Sequence, residues 1–553
     1  MHTTSCNTPV LSRMPLDEIE TLYDQAAEAR RSGDIAKAQA AVDRILEQDS
    51  GRAGALYLRG LLARDSDQLE AAQRWIERAL EINPHPDFYT TLCDIQLDSR
   101  AYASALQTAK QGLALQPDSI EMRFCEAGAL FLQGFVDDAA ISYRKLLALE
   151  PDNVQVLANL ALVSADLDAL EDAERLFRRA IELAPDFLSA RGHLATVLLA
   201  TGRYDEGWRH YEDRWANFVQ ADGSLSTDAR PRVSLPQWRG ERPELGFHAE
   251  YSPERGVRLL VVPEQGNGDS LQFVRYLPLA LERFSQVGFI CPPALRRVFV
   301  ESLCPRWPGL VMLDYGLPDL DHWDLYCPMM SLPMAFGTCL DNIPAAIPYL
   351  FADPARAASW SARLAALPEP GLPRVGVVWA GGHSGMIEDK WRSLAPAQFA
   401  PLLAMPGIRW VSLQKSDNPS KRADVASKAR VIDWMDDITD FADTAALIEN
   451  LDLVIAVDTS VAHLAAAMGK PVWLLNRFAG CWRWLRNRDD SPWYPTVRLF
   501  NQRQKGDWDK VLTQIATALQ QQLALDNGLL HAPGSGRLQV GKEPVSIQLD
   551  LNM

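Results

Sequence analysis

The chain lacks any apolar stretch that could cross a bilayer: no run approaches the roughly 18 residues a spanning helix needs. Its first residues, MHTTSCNTPVLSRMPLDEIE, lack the apolar core of a secretory leader. Cysteines are few and unpaired in pattern. The eight (Cys6, Cys93, Cys125, Cys291, Cys304, Cys327, Cys339 and Cys481) are scattered over 553 residues with no C-x-x-C, which argues against a zinc site and against a dense disulfide framework. A reducing, cytoplasmic setting is the expectation. Positive charge is also short: the net charge of -16 disfavours a nucleic-acid backbone as partner, since phosphate binding needs a basic footprint. The acidic pairs Asp436-Asp437 and Asp489-Asp490 have nothing to bring them together, so they are taken as surface or capping charges, and no metal or cofactor is expected. What is present is globular in kind, 47% hydrophobic and 23% charged. The length suits three or four domain-sized units by a rule of about 150 residues each.

From 17 to 219 the pattern is helical and periodic. Pro84, Pro117, Pro151 and Pro185 lie 33, 34 and 34 residues apart, with Ser50 one period earlier. Small residues recur in phase at Ala38, Ala72, Ala105, Ala139 and Ala173, and again 12 residues before each, at Ala26, Gly60, Cys93, Ala127 and Ala161. Small side chains at two fixed places let paired helices approach, and the proline closes each pair; a period near 34 of this kind resembles the tetratricopeptide repeat. Gly202 to Trp208, with Tyr211 and Trp215 at helical spacing, reads as a capping unit. A peptide or protein on the concave face of such an array is an inference from architecture alone. Residues 220–256, rich in Pro, Gly, Ser and charge, are expected to be a linker, pinned by Trp238 to a neighbouring domain.

The period then changes to alternating strands and helices, over 257–365 and again over 366–525, with 526–553 expected to be loose. Val257 to Val262 is strand-like and feeds the turn Gly266-Asn267-Gly268-Asp269, followed by an amphipathic helix from Ser270 to Arg283 that carries Gln272. The two glycines are expected to permit a backbone turn that residues with a Cβ would resist. Asp269 then lies beyond the carboxyl end of a parallel strand, where open α/β sheets bind ligands, although a lone Asp there is more often a helix cap. In the second half, Val375 to Trp379 leads into Ala380-Gly381-Gly382-His383-Ser384, then Lys390, Arg392 and a strand from Ile408 to Leu413 ending at Gln414. Lys390 and Arg392 fit a solvated surface as well as a site.

The second half centres on one unit. Leu453 to Val457 is a strand, Asp458-Thr459-Ser460 a turn, Val461 to Met468 a helix stopped by Gly469-Lys470-Pro471, and Val472 to Leu475 a second strand. A helix whose first turn carries two hydroxyls and free N–H groups is a ready anion site, with His463 beside it. An ordinary capped βαβ corner accounts for the pattern equally well. Two alternating halves predict two doubly wound sheets facing a cleft, with Gly266 to Asp269 on one side and Gly381 and Asp458 to Ser460 on the other.

EQGNGDSLQFVRYLP (264–278), RVGVVWAGG (374–382), DKWRSL (389–394), the run 436–473 with its D-T-S-x-x-H-x-A-A-A-x-G-x-P core, and WRWLRNRDDSPWYP (482–495) resemble bacterial tetratricopeptide-repeat glycosyltransferases. Their catalytic region is similar to the ADP-heptose:lipopolysaccharide heptosyltransferases, and the layout resembles the protein O-GlcNAc transferases. The resemblance covers about 20–215 for the repeats and 257–520 for the enzyme part. It implies an α-helical repeat solenoid followed by a GT-B fold, a nucleotide-diphosphate sugar as donor, Asp269 as catalytic base, and Lys390 with Asp458, Thr459, Ser460 and His463 around the diphosphate. Ser460 stands where that turn usually has Gly, and Asn267 where an apolar residue is common. Trp482 and Trp484 could stack on base or sugar, or be core aromatics. The expectation is metal-independent transfer of a sugar to an acceptor hydroxyl, on a protein recruited by the repeats. The alternatives are a repeat scaffold with an inactive transferase half, or a saccharide or lipid-linked acceptor.

Overall fold

The computed structural model describes residues 15–218, 233–241, 256–316, 318–382, 387–415 and 431–525. The expected tail, most of the linker, and His383 and Ser384 lie outside the described residues. The chain divides into two compact units, Met1–Phe187 and Leu188–Met553.

Among the described residues the first unit has ten helices, successive ones packed together: α1 Leu16–Arg31, α2 Ile35–Gln48, α3 Ala53–Asp65, α4 Leu69–Ile82, α5 Pro86–Asp98, α6 Tyr102–Leu115, α7 Ile120–Gln133, α8 Val136–Leu149, α9 Val154–Asp166 and α10 Leu170–Leu183. The in-phase small residues are where helices cross. Ala38, Ala72, Ala105, Ala139 and Ala173 are all fully buried, as are Cys93, Ala127 and Ala161. A Cβ on Gly60 would stand 2.4 Å from Ile76 Cγ1, so α3 and α4 touch through bare backbone there. Helices α4, α6, α8 and α10 each end two residues before the periodic proline, which has no N–H to continue them.

The second unit begins with two more helices, α11 Leu188–Ala200 and α12 Tyr204–Tyr211, then a 3-10 turn at Arg214–Phe218. Strands β1 Arg258–Val262, β2 Gln286–Ile290, β3 Leu310–Leu313 and β4 Leu325–Pro328 form a parallel sheet ordered β3-β2-β1-β4. Strands β5 Arg374–Val378, β6 Arg409–Ser412, β7 Leu453–Val457, β8 Val472–Asn476 and β9 Val497–Asn501 form a second, ordered β6-β5-β7-β8-β9 and also parallel. Both centres are buried apolar runs of Val, Ile and Leu, as a sheet covered on two faces requires. The connecting helices are α13 Asn267–Phe273, α14 Leu277–Leu281, α15 Pro293–Leu303, α16 Leu332–Ala335, α17 Pro354–Ala365, α18 Ile387–Arg392, α19 Pro396–Leu403, α20 Phe441–Ile448, α21 Ser460–Ala467 and the closing α22 Trp508–Leu525.

One local expectation is corrected and one strand is added. The helix expected over 270–283 is broken: α13 stops at Phe273, a 3-10 turn covers Val274–Tyr276, and α14 restarts with Pro278 in its first turn. Strand β4 was not foreseen, because LYCP is four residues without alternation and ends in proline. Trp238 does anchor its segment: it is fully buried, its N–H reaches Tyr326 O at 2.8 Å, and its ring meets Phe284 and Phe336 edge-on.

Candidate functional site

The expected turn after β1 is shaped differently from the expectation. Gly266 has an ordinary φ of -93°, while Gln265 takes the left-handed φ of 61°. Gly268 matters for proximity instead: a Cβ there would lie 3.1 Å from His463 Cδ2 and 3.6 Å from Ser460 Cα, so the start of α13 presses directly on the tip of α21. The expected turn residues from the two halves are therefore in contact.

Asp269 sits at the third position of α13, and its Oδ2 accepts from Gly266 N at 2.8 Å. Its Oδ1 accepts from Arg483 Nη2. The strand-end loop below it is held by the first helices of this unit. Arg214, 3% exposed, donates to both oxygens of Glu264 (2.8 and 2.7 Å), to Ser331 Oγ, to Tyr211 O and to Glu212 Oε1. Glu264 Oε1 also accepts from Met330 N at 2.8 Å, and Gln265 Nε2 donates to Tyr211 Oη at 3.0 Å. The strained Gln265 is thus fixed by the helix that the repeat pattern had grouped with the solenoid.

Helix α21 follows buried β7 as expected and starts at Ser460, one residue before the expected Val461. Thr459 is its N-cap residue by backbone conformation, yet its side chain caps nothing; Oγ1 is buried and has no partner among the described residues. The residue is 9% exposed. A buried hydroxyl without a partner is costly, and this one stands beside a helix N-terminus that no side chain caps. Ser460, half-buried, is the first helical residue.

His463, 4% exposed, lies inside that first turn. Its Nδ1 is 3.0 Å from Tyr494 Oη, its Nε2 is 3.7 Å from Asp458 Oδ1, and its ring stacks on Trp484 at 5.2 Å. Burial, with Arg483 beside it, pushes its pKa down to about 3, so the ring is neutral at physiological pH and offers one N–H and one lone pair. Arg392 donates from Nη1 to Asp458 O at 3.2 Å and from Nη2 to Asp389 Oδ1; its Nε is buried without a partner among the described residues. Gly381 makes room for it, since a Cβ would stand 2.4 Å from Arg392 Nε. Lys390 lies on α18, but its side chain is outside the described residues.

Other expected site residues sit differently. Gln414 Oε1 accepts from Trp379 N and Ala380 N, and its Nε2 donates to Lys415 O, so its amide braces the turn after β5. Gln272 is fully buried, and neither atom of its amide has a partner among the described residues. Trp482 is a packing residue: it is buried edge-on against Trp208 and Tyr211, and the Arg483 guanidinium covers it at 4.4 Å.

Several residues escaped the sequence reading. Arg483 and Arg275 lie inside the resembling stretches 482–495 and 264–278, where nothing in the sequence singles either out. Arg275 is buried and donates to Gln272 O, Pro344 O, Trp493 O and Tyr349 Oη, with no carboxylate partner among the described residues. Tyr494 completes the chain from Tyr349 to His463. A buried Arg is rare unless held in place, but only tertiary structure shows what holds it.

Residues 438–475, which span α20 through β8 and include the tip of α21, match glycosyltransferase family 9 (heptosyltransferase). Residues 23–85 and 157–217 match the tetratricopeptide repeat. The chain is 32% identical over 350 residues to Protein FlbA of Caulobacter vibrioides (strain ATCC 19089 / CIP 103742 / CB 15), a match covering 59% of this chain and 54% of that protein. The chain thus spans about half the length of the curated relative it matches. Among solved structures, YrrB, described as a TPR protein with an unusual peptide-binding site, is 22% identical, with a TM-score of 0.29, over 32% of this chain and 94% of its own. MamA is 18% identical, with a TM-score of 0.29, over 31% of this chain and 94% of its own.

Proposed function

We propose that this chain is a glycosyltransferase of GT-B type, which moves a sugar from a nucleotide-diphosphate donor to an acceptor hydroxyl on a protein recruited by its repeats. One observation carries the reading: the unpartnered, buried Thr459 hydroxyl at the uncapped tip of α21, inside the segment that matches glycosyltransferase family 9. The helix tip, Thr459 Oγ1 and Arg392 supply donors to a diphosphate, and neutral His463 supplies an N–H rather than a charge. The acceptor oxygen forms its bond to the anomeric carbon as its proton passes to the Asp269 carboxylate. The bond from that carbon to the phosphate oxygen breaks, and its electron pair leaves with the diphosphate, whose growing charge these donors stabilise. No metal enters this scheme. The two parallel sheets act as the halves of the cleft.

The test is transfer itself. Purified protein, candidate nucleotide sugars and host lysate are incubated, and mass spectrometry identifies which molecule gains a sugar. A mass gain that disappears in Asp269→Ala supports the proposal; wild-type transfer by that variant removes Asp269 from the chemistry, and no gain with any donor overturns the proposal. A second reading, a repeat scaffold with an inactive transferase half, is favoured by the engagement of both Asp269 oxygens. Calorimetry against a panel of nucleotides separates the two, since an inactive scaffold that has lost its donor site binds none.

A further inference from the structure

Arg483 is a buried cation of the site whose bonding is incomplete among the described residues. It is 8% exposed, and among the described residues its guanidinium makes two hydrogen bonds: Nη2 to Asp269 Oδ1 and Nη1 to the Cys481 sulfur at 3.0 Å. A thiol is a weak acceptor. Nε is buried and has no partner among the described residues. Burying a guanidinium while leaving an N–H unpaired is expensive. The loop that carries it bends sharply, with Leu485 at φ 58° and Asn487 at φ 57°, and its neighbour Trp484 stacks on His463. The guanidinium is bonded to Asp269 and close enough to His463, in the first turn of α21, to help hold that ring neutral.

We infer that Arg483 is a diphosphate-binding residue that changes partner: in the empty site it occupies Asp269, and an incoming nucleoside diphosphate draws it away. This rests on the reading of the α21 tip as the diphosphate site. Phosphate oxygens outnumber the lone pairs of one carboxylate oxygen, and they can satisfy Nε together with an Nη in the forked geometry that suits guanidinium. Release of Oδ1 then leaves Asp269 with an uncommitted oxygen for the acceptor proton. A donor is bound before the base is free, which makes the order of addition donor first, acceptor second and limits activation of water or acceptor at an empty site.

The exchange has a signature that a purely structural ion pair lacks. Diphosphate binding must break the Arg483–Asp269 pair, so removing the carboxylate charge relieves a competitor. Titration calorimetry of the full chain with nucleoside diphosphates tests this in wild type, Asp269→Asn, Arg483→Gln and the double variant. Asp269→Asn is expected to bind the diphosphate several-fold tighter than wild type. Arg483→Gln and the double variant are expected to bind it roughly tenfold or more weaker, the loss typical of one charged hydrogen-bond donor. The double variant carries no unpaired charge, so it reports on binding even where Arg483→Gln alone disturbs folding. Asp269→Asn binding no tighter than wild type, or a double variant binding as wild type does, overturns the partner exchange while leaving the diphosphate site standing. A wild-type chain that takes up none of the nucleotides overturns the site reading, and the exchange with it.

Discussion

Arg214 and Glu264 form a pair whose disruption can be sized from the structure. Both are almost fully buried, and two parallel hydrogen bonds of 2.8 and 2.7 Å join them. Tyr211 and Trp215 flank the guanidinium at 5.0 and 4.3 Å from their ring centroids. Glu264→Gln leaves the buried cation with only Glu212, 3.1 Å from Nη1, as counter-charge, and Arg214→Met leaves the Glu264 carboxylate with no cation bonded to it. Each single change should cost about 3–5 kcal/mol, the usual penalty for stranding one member of a buried pair. Arg214→Met combined with Glu264→Leu removes both charges and fills a similar volume, so it should cost much less than the two singles together and less than either alone. Urea unfolding followed by tryptophan fluorescence measures this, since Trp208, Trp215 and Trp482 lie close by, and the transition of the second unit is the one to follow. The singles should also lose sugar transfer, because Glu264 and Gln265 set the turn that ends at Asp269. Singles that unfold like wild type, or a double variant that loses the full sum, would refute the argument that the Arg214–Glu264 pair anchors this turn.

Other outcomes follow from the same geometry. His463 has a folded pKa of about 3 against an ordinary 6.5, so its contribution to stability is complete above pH 6.5 and is lost as pH falls from there towards 3. The unfolded chain takes up a proton that the folded one refuses, at up to about 1.4 kcal/mol per pH unit, and His463→Gln should flatten the acid limb of a stability–pH curve by that slope. Gly381→Ala places a Cβ on Arg392 Nε; a flexible side-chain end can move aside, so the melting temperature should change little while nucleotide affinity falls several-fold, which calorimetry on the variant checks. Gly60→Val should destabilise the first unit by about 1–3 kcal/mol through overpacking against Ile76, seen as an earlier loss of helical circular dichroism.

How much of this was legible in the sequence depended on how local each signal is. The repeats announce themselves because one structural requirement, small residues where helices cross, recurs five times in phase. Strands β5 and β7 to β9 are short apolar runs between turn residues, and periodicity marks them directly. The tip of α21 was visible because strand, hydroxyl turn and helix follow one another in sequence. What failed was non-local. Gly268 is small because of His463, nearly 200 residues away, so its role as a contact point could not be separated from that of a turn glycine. Trp482 was open to two readings until its neighbours Trp208 and Tyr211 came into place. Arg483, Arg275 and the Arg214–Glu264 pair owe their meaning entirely to partners brought in by the fold.

The account stands on an anion at the tip of α21, and titration calorimetry of the full chain and of Thr459→Val with a panel of nucleoside diphosphates measures it most directly. At least one nucleotide should bind the wild-type chain, and Thr459→Val, which removes the unpartnered hydroxyl while keeping the shape, should bind it roughly tenfold more weakly. Equal affinity in the two proteins, or no nucleotide bound by either, would contradict it.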